Sequence, residues 1–182
     1  MSRKPRPAAP GVKRDDEIAA MIRVDHAGEY GAVRIYEGQL AVLGNRPVAD
    51  KIRHMAEQEQ RHLKTFDKLV VERRVRPTAL EPVWRVAGFA LGAATALLGE
   101  KAAMACTAAV EEVIDEHYAA QIERLGDQDA ELKATVADFR ADEIAHRDEA
   151  IASGAQEAPA HRLLSETIKA GCRLAIALST RI

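Results

Sequence analysis

Two stretches of this chain place a carboxylate and an imidazole three residues apart: Glu59 with His62, and Glu143 with His146. Each pair continues an apolar stripe at the same helical spacing, formed by Ile52, Met55, Phe66 and Leu69 in the first case and by Leu132, Val136 and Phe139 in the second. Residues three apart share one helix face, so both members of each pair are expected to point inward. A carboxylate buried without a partner costs several kcal/mol, which makes an inward glutamate informative about what meets it.

A single E-x-x-H pattern is weak evidence in a chain with 17 glutamates and six histidines. Its repetition is stronger. The two histidines are 84 positions apart, as are the two glutamates, and an upstream glutamate accompanies each pair: Glu29 lies 30 residues before Glu59, and Glu111 lies 32 before Glu143. Glu29 falls on a stripe with Ile22, Val33 and Tyr36, and Glu111 on one with Met104, Ile114 and Tyr118. Two helix–turn–helix halves, each offering Glu plus E-x-x-H, form the ligand set of a di-iron or di-manganese carboxylate centre. In such a centre Glu59 and Glu143 would bridge the metals, one completed by Glu29 and His62 and the other by Glu111 and His146. Four carboxylates offset the charge of two ferrous ions, and open positions on the iron permit oxygen chemistry. Reading the pairs as plain structural contacts would require four buried acids with no cation near them.

The other polar residues are less determined. Asp25, one turn before Glu29, and Asp115, one turn after Glu111, are candidates to receive the second N–H of the ligating histidines, or are solvated surface acids. His26 and His117 lie off the ligand pattern, as surface or pocket histidines. Tyr36 and Tyr118 are core aromatics or hydrogen-bond a substrate or oxygen species, with Tyr118 the catalytic candidate.

Positioning these residues takes long helices. Five stretches have helical periodicity, about 16–43, 48–75, 101–125, 129–153 and 160–179, and their mostly short connections predict antiparallel neighbours. With 47% hydrophobic but only 4% aromatic residues, the composition favours helices over a sheet. At 182 residues the chain suits one domain, 16–182, behind a disordered basic tail at 1–15. That tail lacks the apolar run of a secretory signal and reads as a segment that touches anionic lipid or keeps the chain soluble. The net charge of -2 gives no support to nucleic-acid binding. Cys106 and Cys172 form no CxxC pair, so a reducing compartment is the simplest reading.

The segment from Val86 to Gly99 carries no charge, nor does Ala102 to Val110. The first run is too short for an ordinary membrane-spanning helix. With Trp84 and the basic residues Lys64, Lys68, Arg73, Arg74, Arg76 and Arg85 around it, it reads as an interfacial apolar helix on an anionic membrane. The alternative is a buried core helix.

At these residues the chain resembles the 5-demethoxyubiquinone hydroxylase family. The matching stretches are IRVDHAGEYGAVRIYEGQ at 22–39, HMAEQEQRHLKTF at 54–66, ACTAAVEEVIDEHYAAQI at 105–122, FRADEIAH at 139–146 and IKAGCRLAIALS at 168–179. The resemblance assigns the ligand in Glu111-Glu112 to the first glutamate. It implies a ferritin-like antiparallel four-helix bundle with an extra apolar segment and a C-terminal helix. It also implies a di-iron monooxygenase bound peripherally to a membrane, the cytoplasmic face of a bacterial cell membrane or the mitochondrial inner membrane of a eukaryote. Such enzymes hydroxylate the ring of a polyprenylated demethoxyquinol with O₂. Electrons come from NADH or another donor, Tyr118 and His117 lie near the quinone, and partners belong among other ubiquinone-biosynthesis proteins. The rivals are an iron-storage subunit, which gains nothing from a long uncharged segment, a radical-generating reductase subunit, typically a much longer chain, and a quinol oxidase, which only product analysis separates.

Overall fold

The computed structural model describes residues 10–182, with side chains from Asp15 onward. Most of the expected basic tail, residues 1–9, lies outside the described residues. Helix α1 (Pro10–Leu43) starts inside that stretch, because proline is tolerated in a first helical turn where its missing N–H has no partner to lose. It is followed by α2 (Ala49–Glu72), α3 (Glu81–Leu97), α4 (Glu100–Leu125), α5 (Ala130–Ala152), a 3₁₀ turn and α6 (His161–Ser179). No strand occurs among the described residues, and the chain is the expected all-α bundle.

Local chemistry sets the boundaries. Asp129 caps α5 by accepting the Leu132 amide N–H at 3.0 Å, a bond worth about 1 kcal/mol. Gly99 and Gly126 bracket α4 with φ of 113° and 51°, values that a side chain would resist. The two uncharged runs therefore lie on separate helices. The first belongs to α3, which begins ahead of the run, at Glu81 with Pro82 in its first turn. The second, Ala102 to Val110, lies in α4, at the start of the helix expected from about residue 101, and is mostly buried core.

Side-chain contacts give the directions. Tyr36 meets Met55 and His26 meets Asp67, so α1 and α2 are antiparallel. Gln39 reaches Thr107 and Tyr118 reaches Glu29, so α4 also opposes α1. His62 meets Asp142 and His146 meets Gln58, which opposes α2 and α5. Helix α3 crosses between the two hairpins and runs parallel to α1, held close by glycines. A Cβ at Gly88 would stand 2.9 Å from the Gly31 carbonyl oxygen, and one at Gly92 would overlap that of Ile35. Helix α6 runs parallel to α4 through Lys169–Glu112 and Arg173–Glu116. Each half of the chain is thus a hairpin with a third helix lying along its first, an arrangement the sequence periodicity did not announce.

Two apolar plugs close the bundle, one around Leu43, Ile52 and Ala103, the other around Ile22, Phe66 and Phe139. The inward glutamates lie among them. Outside, α3 and its C-terminal cap present Val83, Val86, Phe89, Leu97 and Leu98 to solvent, and α6 presents Leu163 and Leu174. Leu91 instead turns inward and is half-buried. None of the described helices is long and apolar enough to cross a membrane.

Candidate metal centre

Glu29 on α1, Glu59 and His62 on α2, Glu111 on α4, and Glu143 and His146 on α5 are brought together in the interior, each no more than 3% exposed. They form two groups, Glu29–Glu59–His62–Glu143 and Glu59–Glu111–Glu143–His146, with donor atoms within 4.8 Å of one another in each. The groups share Glu59 and Glu143, the two residues expected to bridge. His62 Nδ1 lies 3.4 Å from Glu29 and 3.2 Å from Glu143. His146 Nδ1 lies 3.1 Å from Glu59 and 3.4 Å from Glu143.

These approaches do not satisfy the groups that make them. Both Nδ1 atoms, and one oxygen each of Glu29, Glu59 and Glu143, are buried without a hydrogen-bond partner. Among the described residues no lysine or arginine pairs with any of the four glutamates. Converging lone pairs of carboxylate and imidazole, each lacking a donor, fit a pair of divalent cations, which would take charge and lone pairs together.

The tyrosines cross between the halves. Tyr36 donates to Glu111 at 2.8 Å, and Tyr118 donates to Glu29. Burial, then the charge of Glu29, hold the Tyr118 phenol well above its usual pKa, so it remains a donor. Its hydroxyl is therefore directed at a carboxylate, where a substrate was the expected alternative. The adjacent doublet is resolved: Glu111 is buried, whereas Glu112 points outward to Lys169 at 2.7 Å.

The partners of the histidines differ from the candidates raised by sequence. His62 Nε2 lies 3.0 Å from Asp142, which also pairs with Arg61. His146 Nε2 lies 3.1 Å from Gln58. Asp25 instead holds His117 at 3.0 Å and accepts from Gln121 at 2.7 Å, while Asp115 is bound by Arg140 and Arg147. Asp25 and Asp115 were set by one-turn spacing along their own helices, but the histidines are reached across the α2–α5 interface. His26 is buried against Asp67.

Without a cation, protons would hold this layer together. Burial, then the charge of Glu143, pushes both Glu59 and Glu111 well above the ordinary carboxylate range, and burial raises Glu143. Burial disfavours charged His62, but Glu143 and Glu29 outweigh it and raise its pKa to about 10. His146 moves the other way, chiefly through burial. A group whose folded-state pKa exceeds its unfolded value gives stability that is full below the unfolded value and is lost as pH rises through the folded one. The metal-free chain should therefore lose thermal stability as pH rises from the ordinary glutamate value of 4.5 toward 10. Metal loading should flatten that decline, since cations replace the protons. Melting curves with and without chelator check this, and a metal-free chain that gains stability over the interval excludes it.

One space adjoins the acids, and a second, apolar one adjoins the first. A cavity of about 30 Å³ is lined by Glu29, Glu111, His117 and Tyr118. Above it a groove of about 460 Å³ runs between Trp84 and Leu91 of α3 and Gly171 and Leu174 of α6. Gly28, Ala32 and Ile114 line both spaces. The groove was not legible in the sequence, because it depends on how two separate third helices flank one hairpin pair.

The family described as ubiquinone biosynthesis protein COQ7 matches residues 16–179. The 3-demethoxyubiquinol 3-hydroxylase of Rhodospirillum rubrum is 61% identical over 166 residues, covering 91% of this chain and 78% of that protein. The rat mitochondrial NADPH-dependent 3-demethoxyubiquinone 3-hydroxylase is 55% identical over 168 residues, covering 90% and 77%. The mitochondrial 5-demethoxyubiquinone hydroxylase of Saccharomyces cerevisiae is 42% identical over 179 residues, covering 89% and 77%. A match over so much of the chain, in residues that build both halves of the bundle, identifies it: the chain belongs to the COQ7 family of ubiquinone biosynthesis proteins.

Proposed function

We propose that the chain is a di-iron monooxygenase that hydroxylates the ring of a polyprenylated demethoxyquinol, with Glu29, Glu59, His62, Glu111, Glu143 and His146 as metal ligands. The carrying observation is the pair of four-residue donor groups sharing Glu59 and Glu143, beside a groove that adjoins the apolar faces of α3 and α6. The reaction converts a ring C–H and O₂ to C–OH and water, consuming two electrons and two protons. Two ferrous ions, when bound, supply the redox chemistry that reduces dioxygen. A nicotinamide donor accords with the NADPH in the names of the rat and other mitochondrial relatives.

The chain's own residues supply the rest. The groove takes the prenyl tail along its apolar walls, and the ring descends toward the cavity where His117 and Tyr118 lie. Tyr118 orients Glu29 through its hydrogen bond, and Asp25 with Gln121 fixes the His117 ring. The exposed apolar faces of α3 and α6 rest on the membrane surface from which the substrate enters. This makes the chain a peripheral protein of the bacterial cell membrane, or of the mitochondrial inner membrane in a eukaryote.

The direct test supplies labelled oxygen gas to the reduced, iron-loaded chain with demethoxyquinol in vesicles. Label in the hydroxylated quinol supports the reading; label found only in water makes the protein an oxidase or an iron store. In the same assay Tyr118→Phe should retain both irons and lower turnover about tenfold, the value of one positioning hydrogen bond of about 1.4 kcal/mol. Unchanged turnover would remove Tyr118 from the catalytic machinery.

A further inference from the structure

The two halves correspond position by position in the ligand layer and in the residues that bond to it. Glu59 and His62 match Glu143 and His146 at a spacing of 84, while Glu29, Tyr36 and Gln39 match Glu111, Tyr118 and Gln121 at 82. The hydrogen bonds obey the same relation. Tyr36 donates to Glu111 as Tyr118 donates to Glu29, and Gln39 donates to Thr107 as Gln121 donates to Asp25. Each histidine's outward nitrogen meets the residue that precedes the E-x-x-H glutamate of the other half, Asp142 for His62 and Gln58 for His146.

Asp142 and Gln58 are themselves 84 apart, so the same position holds a carboxylate in one half and a neutral amide in the other. Three further differences concern residues near Glu29 and His62. Arg61 corresponds to Ala145, Asp25 to Thr107, and His117 to Ile35. Asp142 and Arg61 meet the His62 ring and Asp25 and His117 line the cavity beside Glu29, whereas the charged cluster of the other half, Asp115 with Arg140 and Arg147, makes no hydrogen bond to His146 among the described residues.

We infer that the two metal positions are unequal, the Glu29–His62 position being the tighter, and that Asp142 is the positioning residue responsible. This rests on the di-metal reading above. A carboxylate accepting the Nε2–H of an imidazole polarises the ring and strengthens the donor at Nδ1, whereas an amide oxygen does so weakly. Such outer partners are commonly worth about 10–100-fold in metal affinity. Arg61 draws on the same carboxylate and would oppose the effect. Its side chain is half exposed, so its pull is screened by water, while the His62 ring is fully buried and feels Asp142 at lower dielectric.

The test starts from the full chain loaded with cobalt(II) and counts metal per chain after equilibration with graded chelator. The unaltered chain should release metal in two steps, about 10–100-fold apart in chelator, with a plateau near one ion per chain. Asp142→Asn keeps the size and the acceptor but removes the charge, and should merge both steps at the weaker one. Gln58→Glu should merge them at the stronger. Arg61→Ala should keep the plateau, whereas an Asp142 that acted only as a structural anchor for Arg61 would lose it in both variants. Release in a single step from the unaltered chain, or an unshifted plateau in Asp142→Asn, overturns the inference while leaving the di-metal reading intact. A chain that never holds two ions sinks both.

Discussion

Glu143→Gln is expected to hold no more than about one metal ion per chain and to hydroxylate about a thousandfold more slowly than the unaltered chain. Glu143 belongs to both donor groups and stands within 3.4 Å of both inward imidazole nitrogens. Glutamine keeps the volume and loses the charge, so the interior would hold the cations with one compensating carboxylate missing. Removing one partner from a buried charge pair costs about 3–5 kcal/mol, and each 1.4 kcal/mol is tenfold. The neighbouring control is Glu112→Gln, whose side chain faces Lys169 at the surface and whose loss should leave both ions in place. Metal analysis and Mössbauer spectroscopy of the two variants decide the matter; a coupled pair of irons in Glu143→Gln would show that the bridge lies elsewhere.

The second large effect is at the membrane. Val86 and Leu97 on α3, Leu98 at its C-terminal cap and Leu174 on α6 are each at least 60% exposed, beside the groove that the two helices wall. Immersing a large apolar side chain fully gains about 1.5–3 kcal/mol, and partial immersion of four should gain about 3 kcal/mol or more in total. Changing all four to serine should therefore weaken liposome binding about a hundredfold in flotation, with metal content unchanged because none of the four lines the cavity beside the acids. A variant that still floats with the vesicles refutes the membrane reading. One that unfolds would mean that these side chains support the core.

The six inward residues were legible because a duplicated pattern on apolar stripes is readable from spacing alone. The stripe places Glu59 and Glu143 without knowledge of any partner helix. What spacing cannot supply is the register between helices. Asp142 and Gln58 look like ordinary helix-surface residues beside their glutamates, yet each serves a histidine on the opposing helix. Asp115 had the right local spacing, but its helix turns it toward Arg140 and Arg147. The extra apolar helix was visible as an uncharged run, but charge is a poor marker of where a helix begins, and α3 starts at Glu81, ahead of the run. The break comes at Gly99, where the backbone takes a positive φ, and the residues beyond it join the core.

The crossed bonds also bear on the order in which the molecule can be made. Tyr36 to Glu111 spans 75 residues, His62 to Asp142 spans 80, His146 to Gln58 spans 88, and Tyr118 to Glu29 spans 89. Loop-closure entropy grows so slowly with length that these four contacts differ by less than about 0.5 kcal/mol in the cost of closing. None is favoured to form early, and none can form within a single hairpin. A chain emerging from the ribosome can fold α1 and α2 and present Glu29, Glu59 and His62, but it lacks Glu143 until α5 has followed. The complete donor set therefore arises in one late event, the docking of the two hairpins, and on the di-iron reading proposed above metal loading follows synthesis of the second half.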